Sequence, residues 1–374
     1  MSKDLHPPSG SGEIANSETL KELKVTSRGE LGELVLRTIT DRADKSGLVF
    51  GVYPVRRLMN SYHLLNDRKA KGLNGSMQFT YRNPLRSTSP DRIIPGARSI
   101  VTFALPIEHL ETQGDLILPR LLARYARRDY YGILRRELES VHEALGLLGV
   151  NSKVVLDSNE LIDKEVAVRS GVGSYLKNSL VNVAGFGSFT VIGSLVLDVA
   201  LPRTLVKERL ISCGRCQICI EQCPTSAIGA DGAIDARRCI SWLLQSPEDV
   251  DPKYLAAIGT RLYGCDICQE VCPINRRSIF HQEESSYSVD ETAIEILQVL
   301  KSSDSQLLEL LNHIYIHKRD VRLVRRNAII AAANLGPLSA FEDEIVSEIA
   351  KLKLADSIYQ PYIQFFNQSR GVAI

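Results

Sequence analysis

The eight cysteines of this 374-residue chain all lie between positions 213 and 272. They form two runs of short spacing, C-x2-C-x2-C-x3-C-P from residue 213 and C-x2-C-x3-C-P from residue 265, with Cys239 between the runs. Thiols grouped this closely either bind metal or form disulfides. Because these two roles need different compartments and different folds, this one stretch constrains the whole chain.

The spacing of the first run is the one that bacterial ferredoxins use to bind iron–sulfur clusters. In that arrangement three closely spaced cysteines bind one cluster and the fourth binds the other. We therefore predict two groups of four ligands, with Cys239 replacing the cysteine that the second run lacks. The first group is Cys213, Cys216, Cys219 and Cys272, and the second group is Cys223, Cys239, Cys265 and Cys268. The sequence thus predicts two [4Fe–4S] clusters and one-electron chemistry.

Zinc and disulfides are the alternatives for these cysteines. Zinc sites usually combine separated C-x2-C pairs, whereas three successive cysteines at x2 spacing followed by x3-C-P favour an iron–sulfur cluster. Disulfides require an oxidising compartment, and residues 1–8 contain no apolar signal segment. We therefore expect reduced, metal-bound thiols in a cytoplasmic protein.

Charge and hydropathy limit the partners. The net charge is +1, so a polyanion would have to be bound by a local basic patch. No apolar run approaches the roughly 20 residues of a membrane helix. The G-x-G-x-x-G motif after a strand and the G-x4-G-K-[ST] motif are both absent from the sequence. We therefore expect a monomer that receives electrons from an external donor of ferredoxin or flavodoxin type.

The chain divides into four parts. Residues 1–16 are rich in Pro, Gly and Ser and are expected to be a disordered tail. Residues 17–205 alternate helical and strand patterns, including a long helical region over 117–147 with a candidate interruption near Tyr130, which favours an α/β domain. Residues 206–287 contain the cysteines and are expected to form a ferredoxin-like domain. Residues 288–374 have helical periods with short breaks, a pattern typical of HEAT-like repeats.

Several motifs resemble those of the epoxyqueuosine reductase family over about residues 70–336. The most specific are Leu156–Gly173 with Lys177 and Asn178, and Leu262–Pro273; shorter ones lie at 85–99, 124–130, 223–228 and 235–241. The chain departs from the family's usual pattern at Tyr131, Leu176 and Ile274, where histidine, glycine and tryptophan are usual.

The resemblance implies a fold and an activity. The fold would be a reductive-dehalogenase-like α/β domain that binds cobalamin, followed by the ferredoxin-like domain and the HEAT-like tail. The activity would be reduction of epoxyqueuosine to queuosine at the wobble position of tRNA, the last step of queuosine biosynthesis. In that reaction cob(I)alamin is the nucleophile, and the two [4Fe–4S] clusters supply its electrons.

The resemblance also implies site residues. Asp157 matches the family's proton donor and ends a predicted strand over 153–156, where α/β proteins bind ligands; its alternative role is a helix N-cap, which Ser158 or Asn159 could supply instead. The positions that match corrinoid contacts are Arg86, Asp157, Val181, Ile192, Ser241, Cys265 and Asp266. From the residue types alone, Arg86 and Asp266 would be surface charges and Val181 and Ile192 core residues. Lys177 would meet a corrinoid amide or a phosphate, or serve as a cap.

A basic run at 317–326 is the candidate tRNA surface of the helical region. Arg322, Arg325 and Arg326 are predicted to contact tRNA phosphates. A solvated helix face is the alternative for this run. Two other functions also remain open at this stage, a corrinoid reductase that acts on a small molecule such as an organohalide, and an electron-transfer module without catalysis.

Overall fold

The computed structural model describes residues 28–107, 116–204, 213–277, 288–336 and 340–374. The expected disordered tail and the expected domain boundaries near 205 and 287 lie outside these ranges. None of the helices within them combines the length and the apolar character needed to cross a bilayer.

Fifteen helices and six strands are described here. The helices are α1 (Arg28–Lys45), α2 (Met59–Ala70), α3 (Phe79–Arg82), α4 (Pro84–Ser87), α5 (Tyr130–Leu147), α6 (Asp163–Arg169), α7 (Ile218–Glu221), α8 (Ile240–Leu243), α9 (Pro252–Ile258), α10 (Ile267–Glu270), α11 (Val289–Lys301), α12 (Asp304–Leu310), α13 (Arg322–Ala333), α14 (Glu342–Ala355) and α15 (Gln360–Arg370). The strands are β1 (Val49–Pro54), β2 (Ser99–Pro106), β3 (Ser152–Leu156), β4 (Gly173–Tyr175), β5 (Val181–Val183) and β6 (Thr190–Leu197).

The N-terminal region is built on a four-stranded sheet of order β1-β2-β6-β3. Every neighbouring pair in it is antiparallel, so the alternation of helices and strands does not produce the parallel sheet typical of α/β proteins. Helices α1 and α5 bury their apolar sides in one core with β2 and β6, and α6 packs in another core with β2. Strands β4 and β5 form a separate antiparallel pair beside this sheet.

The long helical region expected over 117–147 is only half helical. Helix α5 begins at Tyr130, because the Asp129 side chain accepts the Gly132 N–H at 2.7 Å and caps the helix. The preceding segment instead pairs with the cysteine region: the Ala123 N–H donates to the Tyr263 carbonyl at 2.9 Å, and the Leu262 N–H donates to the Leu121 carbonyl at 2.8 Å. Backbone bonds to a distant segment therefore replace helical bonds here.

One hydrophobic core joins the cysteine region to the C-terminal helices. It contains residues from 118–126, from 240–263 and from helices α11, α13, α14 and α15. Helix α11 begins with a capping box formed by Ser288 and Glu291, which fixes its N-terminus. The C-terminal helices therefore share their core with the region before them.

The basic run predicted to contact tRNA is mostly turned inward. Arg326 is 1% exposed. Its guanidinium donates to the carbonyls of Leu243 at 3.1 Å, Ser246 at 3.1 Å and Glu248 at 2.9 Å, which joins α13 to the cysteine region. Burial lowers the pKa of Arg326. The prediction that Arg326 contacts phosphate is therefore wrong for this conformation, because its donors satisfy protein carbonyls.

The other two arginines are also paired. Arg325 is 9% exposed and donates to Asp304 at 2.6 Å and to the Ser302 carbonyl at 2.8 Å, so its prediction fails for the same reason. Arg322 is exposed but contacts two carboxylates, Asp320 at 2.7 Å and Asp356 at 3.0 Å. Helical spacing placed these arginines correctly on one helix, but it did not reveal their acceptors.

We predict that Arg326→Met destabilises the protein by about 3 kcal/mol or more, because the buried carbonyls of Leu243 and Ser246 and the part-buried carbonyl of Glu248 lose their donor. Arg322→Met is the matched control on the same helix. It should cost at most about 1 kcal/mol, since its ion pairs are exposed. Denaturant midpoints of the two variants measure the difference, and equal midpoints would contradict a structural role for Arg326.

Candidate active site

The first group of predicted cluster ligands surrounds one cavity. Cys213, Cys216, Cys219 and Cys272 line a cavity of about 210 Å³ together with Leu176, Asn178, Pro273, Ile274 and Arg277. Three of the four come from the first cysteine run, and Cys272 arrives from the second run because α10 packs against α7. The structure thus brings together the four side chains that the spacing assigns to one cluster.

In the second group of predicted ligands, neighbouring cysteines contribute to the raised pKa values of the thiols. Burial, and then the neighbouring Cys265 and Cys239, raise the pKa of Cys268. Burial chiefly raises the pKa of Cys239, with a further contribution from Cys223, and burial raises the pKa of Cys265 to about 11. Within the described ranges, no three His, Cys, Asp or Glu side chains converge as closely as a single metal ion needs.

The turn at Lys177 and Asn178 fastens both cysteine groups to the N-terminal region. The Lys177 N–H points at the Cys213 Sγ at 3.4 Å, and its ammonium donates to the carbonyls of Gly214 at 2.9 Å and Cys216 at 3.0 Å. The Asn178 amide donates to the Cys268 carbonyl at 3.1 Å. Of the roles considered for Lys177, the structure shows the cap, and the capped element is the cysteine loop.

Asp157 directly follows β3 and has a left-handed backbone conformation, with φ +45°. A non-glycine residue pays about 1–2 kcal/mol for this conformation, which is typical of functional positions. The side chain is open to solvent, yet enough protein surrounds it that burial raises the pKa of its carboxyl, with Arg135 opposing the shift. Asp157 therefore lies in a cleft.

The alternative role of Asp157 as a helix cap is not supported. Helix α6 begins at Asp163, with Ile162 at the N-cap position and no side-chain cap. The Ser158 hydroxyl accepts the Glu160 N–H at 3.2 Å within the intervening turn. The carboxyl of Asp157 therefore does not cap α6.

Three ionisable side chains surround Asp157 that sequence reasoning missed. Burial, and then Asp157, raise the pKa values of Tyr131 and Asp163, and burial is also the main reason for the raised pKa of Tyr263. By contrast Tyr130, the neighbour of Tyr131 on α5, is 4% exposed and packs in the core. The departure at Tyr131 was visible in the sequence, but only the position of α5 shows that Tyr131 faces the cleft.

The remaining positions matched to corrinoid contacts have distinct surroundings. Arg86 donates to Glu160 at 2.9 Å. Asp266 is 5% exposed and accepts bonds from the Arg124 N–H at 2.7 Å and from Gln269 at 2.8 Å, so it is not the surface charge that its residue type suggests. The side chains of Val181 and Ile192 belong to one small core.

Ser241 and Cys265 lie on the side of the cysteine region. The ring centroids of Tyr125 and Tyr263 lie 6.2 Å apart, Tyr125 lies near Ser241, and Asp157 contributes to the raised pKa of Tyr263. Two tyrosines thus lie between Ser241 and Asp157 at the junction of the N-terminal region and the cysteine region, whereas the side chain of Val181 packs in its own core.

The junction retains unused hydrogen-bonding capacity. Among the described residues, Asp163 Oδ1 and Arg68 Nε are buried without a hydrogen-bond partner. Lys164 is reached by solvent but surrounded by protein, and it lies near Arg68, Asp163, Cys239 and Cys268. A ligand with many amide groups, such as a corrinoid, fits polar atoms of this kind, because each would otherwise remain unpaired.

Comparison with known proteins bears on each part of this site. A family model described as a 4Fe-4S double cluster binding domain matches residues 212–275. The epoxyqueuosine reductase of Bacillus subtilis (strain 168) is 30% identical over 266 residues, which cover 69% of this chain and 68% of that protein. The epoxyqueuosine reductase of Vibrio cholerae is 31% identical over 303 residues, 76% of this chain and 79% of that protein.

Solved structures share the architecture. A crystal structure of an epoxyqueuosine reductase with an epoxyqueuosine-modified tRNA-Tyr stem loop has a TM-score of 0.73 and 25% identity, and covers 86% of this chain and 85% of that chain. The epoxyqueuosine reductase of Streptococcus thermophilus has a TM-score of 0.76 at 24% identity, with 91% of both chains covered. The shared fold therefore extends well beyond the cysteine region.

Proposed function

This chain belongs to the epoxyqueuosine reductase family, and we propose that it reduces epoxyqueuosine in tRNA to queuosine. The observation that carries the proposal is the likeness to named epoxyqueuosine reductases over most of their length, in a chain that has a double cluster domain and an aspartate whose pKa is raised by the protein around it. Neither a small-molecule substrate nor a purely electron-carrying role is favoured by these relatives. The direct test is incubation of the purified, cluster-loaded protein with epoxyqueuosine-containing tRNA, followed by nucleoside analysis.

We infer that the two cysteine groups hold one [4Fe–4S] cluster each. The first group lines the cavity between α7 and α10, and the second group lies against the Asp157 cleft through Lys164. An external donor of ferredoxin or flavodoxin type is expected to reduce them. The C-terminal helices are proposed to be HEAT-like.

Iron content tests the ligand assignment. The wild-type protein should bind about eight irons, four for each cubane. Cys272→Ser should lose the first cluster and Cys239→Ser the second, so each variant should retain about four irons. Tightly bound zinc, or a loss of both clusters from either single variant with an unchanged fold, would contradict the assignment.

The cleft is proposed to hold cobalamin. The residues that would contact it are Arg86, Asp157, Val181, Ile192, Ser241, Cys265 and Asp266. The carboxylate oxygens of Asp266 already accept hydrogen bonds from Arg124 and Gln269, so Asp266 would act by positioning the residues around it. Bound cobalamin would supply a cobalt nucleophile, with reducing electrons from the clusters. Val181 would contribute through its backbone, since its side chain packs in the core.

Asp157 is proposed as the general acid. Removing the epoxide oxygen as water consumes two electrons and two protons, and the oxygen needs a proton as its C–O bond breaks. A carboxyl whose pKa is raised by burial stays protonated closer to neutral pH than an exposed aspartate. Its left-handed backbone presents the carboxyl at the end of β3 rather than along the strand.

We predict that Asp157→Asn retains its iron and lowers turnover by about 10²–10⁴-fold, the usual contribution of one general acid. Asparagine keeps the size and polarity of the side chain but provides no acidic proton. Single-turnover rates with epoxyqueuosine-containing tRNA measure the loss. A near-normal rate would assign the proton to another group, of which Tyr131 is the nearest candidate.

The pH profile provides a second test of Asp157. A general acid works only while protonated, so kcat/KM should fall as pH rises through the folded pKa of Asp157. Arg135 lowers that pKa, so Arg135→Met should move the falling limb to higher pH, whereas Arg135→Lys keeps the charge and should move it less. A limb that stays in place in both variants would show that Asp157 does not control it.

Lys177 gives a prediction for the first cluster. Its N–H and its ammonium lie at the Cys213–Cys216 loop, and positive charge near a cluster favours the reduced state. Lys177→Met should therefore lower the midpoint potential of one cluster by tens of millivolts, while Lys153→Met, at an exposed pair with Glu160, should not. Redox titration followed by EPR distinguishes the two variants, and equal potentials would contradict this role.

A further inference from the structure

We propose that Tyr315, Lys318 and Arg319 form a platform that binds single-stranded RNA beside the cysteine region. The tyrosine ring would stack on an unpaired base, and the two cations would contact the phosphates beside it. The proposal names a contact surface for the substrate and rests on the proposed function only for the identity of the RNA, a tRNA anticodon loop.

The Tyr315 ring is exposed to solvent, and a neighbouring histidine fixes its orientation. Tyr315 is 54% exposed. The hydroxyl lies 3.0 Å from His317 Nδ1, and the two rings meet edge to face, with centroids 6.4 Å apart and planes at 78°. An aromatic ring with a fixed orientation and a free surface is what base stacking requires, because little side-chain freedom is then lost on binding.

The backbone after Tyr315 is in an unfavourable conformation. Lys318 and Arg319 are consecutive non-glycine residues with φ +50° and +56°, and each such residue costs about 1–2 kcal/mol. Two backbone bonds hold the turn, from the Arg319 N–H to the Ile316 carbonyl and from the Asp320 N–H to the His317 carbonyl, both at 2.9 Å. Strain maintained in this way is typical of binding sites.

These two cations differ from the other basic residues of the run. Lys318 and Arg319 are exposed, and no ion pair joins either of them to an acidic side chain in the described part of the chain. Asp320, the nearest acid in sequence, is already bound by Arg322 at 2.7 Å. Within 317–326 the positive charge free to meet phosphate is therefore concentrated on this turn.

The platform adjoins the cysteine region through one tyrosine. Tyr263 and Tyr315 line one small cavity, and Tyr263 stands two positions before Cys265. A nucleoside bound at the edge of the cysteine region would thus leave its neighbours in the strand beside Tyr315. Enzymes that modify a base commonly extrude it and bind the flanking nucleotides by stacking.

The experiment compares three variants with the wild-type, cluster-loaded protein in binding an unmodified anticodon stem–loop RNA over a range of salt. Tyr315→Leu should weaken binding by about 5–150-fold, the range for one stacked base, without changing the salt slope. The double variant Lys318→Gln/Arg319→Gln should reduce the slope by about 1.4, since each single-strand phosphate contact contributes about 0.7. Arg322→Gln, a paired cation, is the control and should leave the slope unchanged.

Two results would overturn the platform. Binding of the Tyr315 and double variants that equals wild type in affinity and slope shows that RNA does not use this surface. An equal loss of slope in Arg322→Gln shows that charge is not concentrated on the turn. Thermal unfolding of each variant confirms that the fold is intact.

The platform and the proposed function fail separately. If wild-type protein reduces epoxyqueuosine-containing tRNA and the variants bind RNA normally, only the platform is wrong. If wild-type protein shows no reduction but the variants lose RNA binding as described, the platform stands and the reaction is wrong. With both intact, Tyr315→Leu should raise the KM for tRNA and leave kcat nearly unchanged.

Discussion

The fold depends on the return of the second cysteine run to the first. Cys272 lies with Cys213, Cys216 and Cys219 although it follows Cys219 by 53 positions, and Cys223 and Cys239, which stand between these two residues, belong to the other group. This closure is held by the packing of α7 against α10 and by the Lys177 and Asn178 side chains, which bind carbonyls of both runs.

Local signals in the sequence were sufficient for much of this arrangement. Cysteine spacing predicted the two groups, and the helical periods within 288–374 predicted helices that the structure contains. The failures share one cause: the segment at 117–129 bonds to residues 262 and 263, and Arg325 and Arg326 bond to carbonyls and a carboxylate from other segments. The sequence pattern of one segment does not show which residue of a distant segment it will hydrogen-bond to.

The neighbourhood of Asp157 shows the same limit. Asp157 was found from its place at a strand end and from its motif, but Tyr131, Asp163 and Tyr263 come from three different elements and have no common sequence signal. Their mutual influence arises because burial leaves few water molecules to screen the charge of Asp157. Histidine in place of Tyr131 would titrate nearer neutrality, so the tyrosine here keeps that position uncharged over a wider range of pH.

The contact made by Arg326 also has a consequence for how such a chain can change over time. Its guanidinium donates hydrogen bonds to three carbonyls of the cysteine region. Arg120 pairs with Glu291 and Glu295 of α11, and one hydrophobic core continues from the cysteine region into the C-terminal helices. Loss of the C-terminal helices would expose this core, leave those carbonyls without the Arg326 guanidinium and remove Glu291 and Glu295 from Arg120. The C-terminal helices therefore do not form an independent domain. Recombination between related genes would have to exchange them together with the cysteine region.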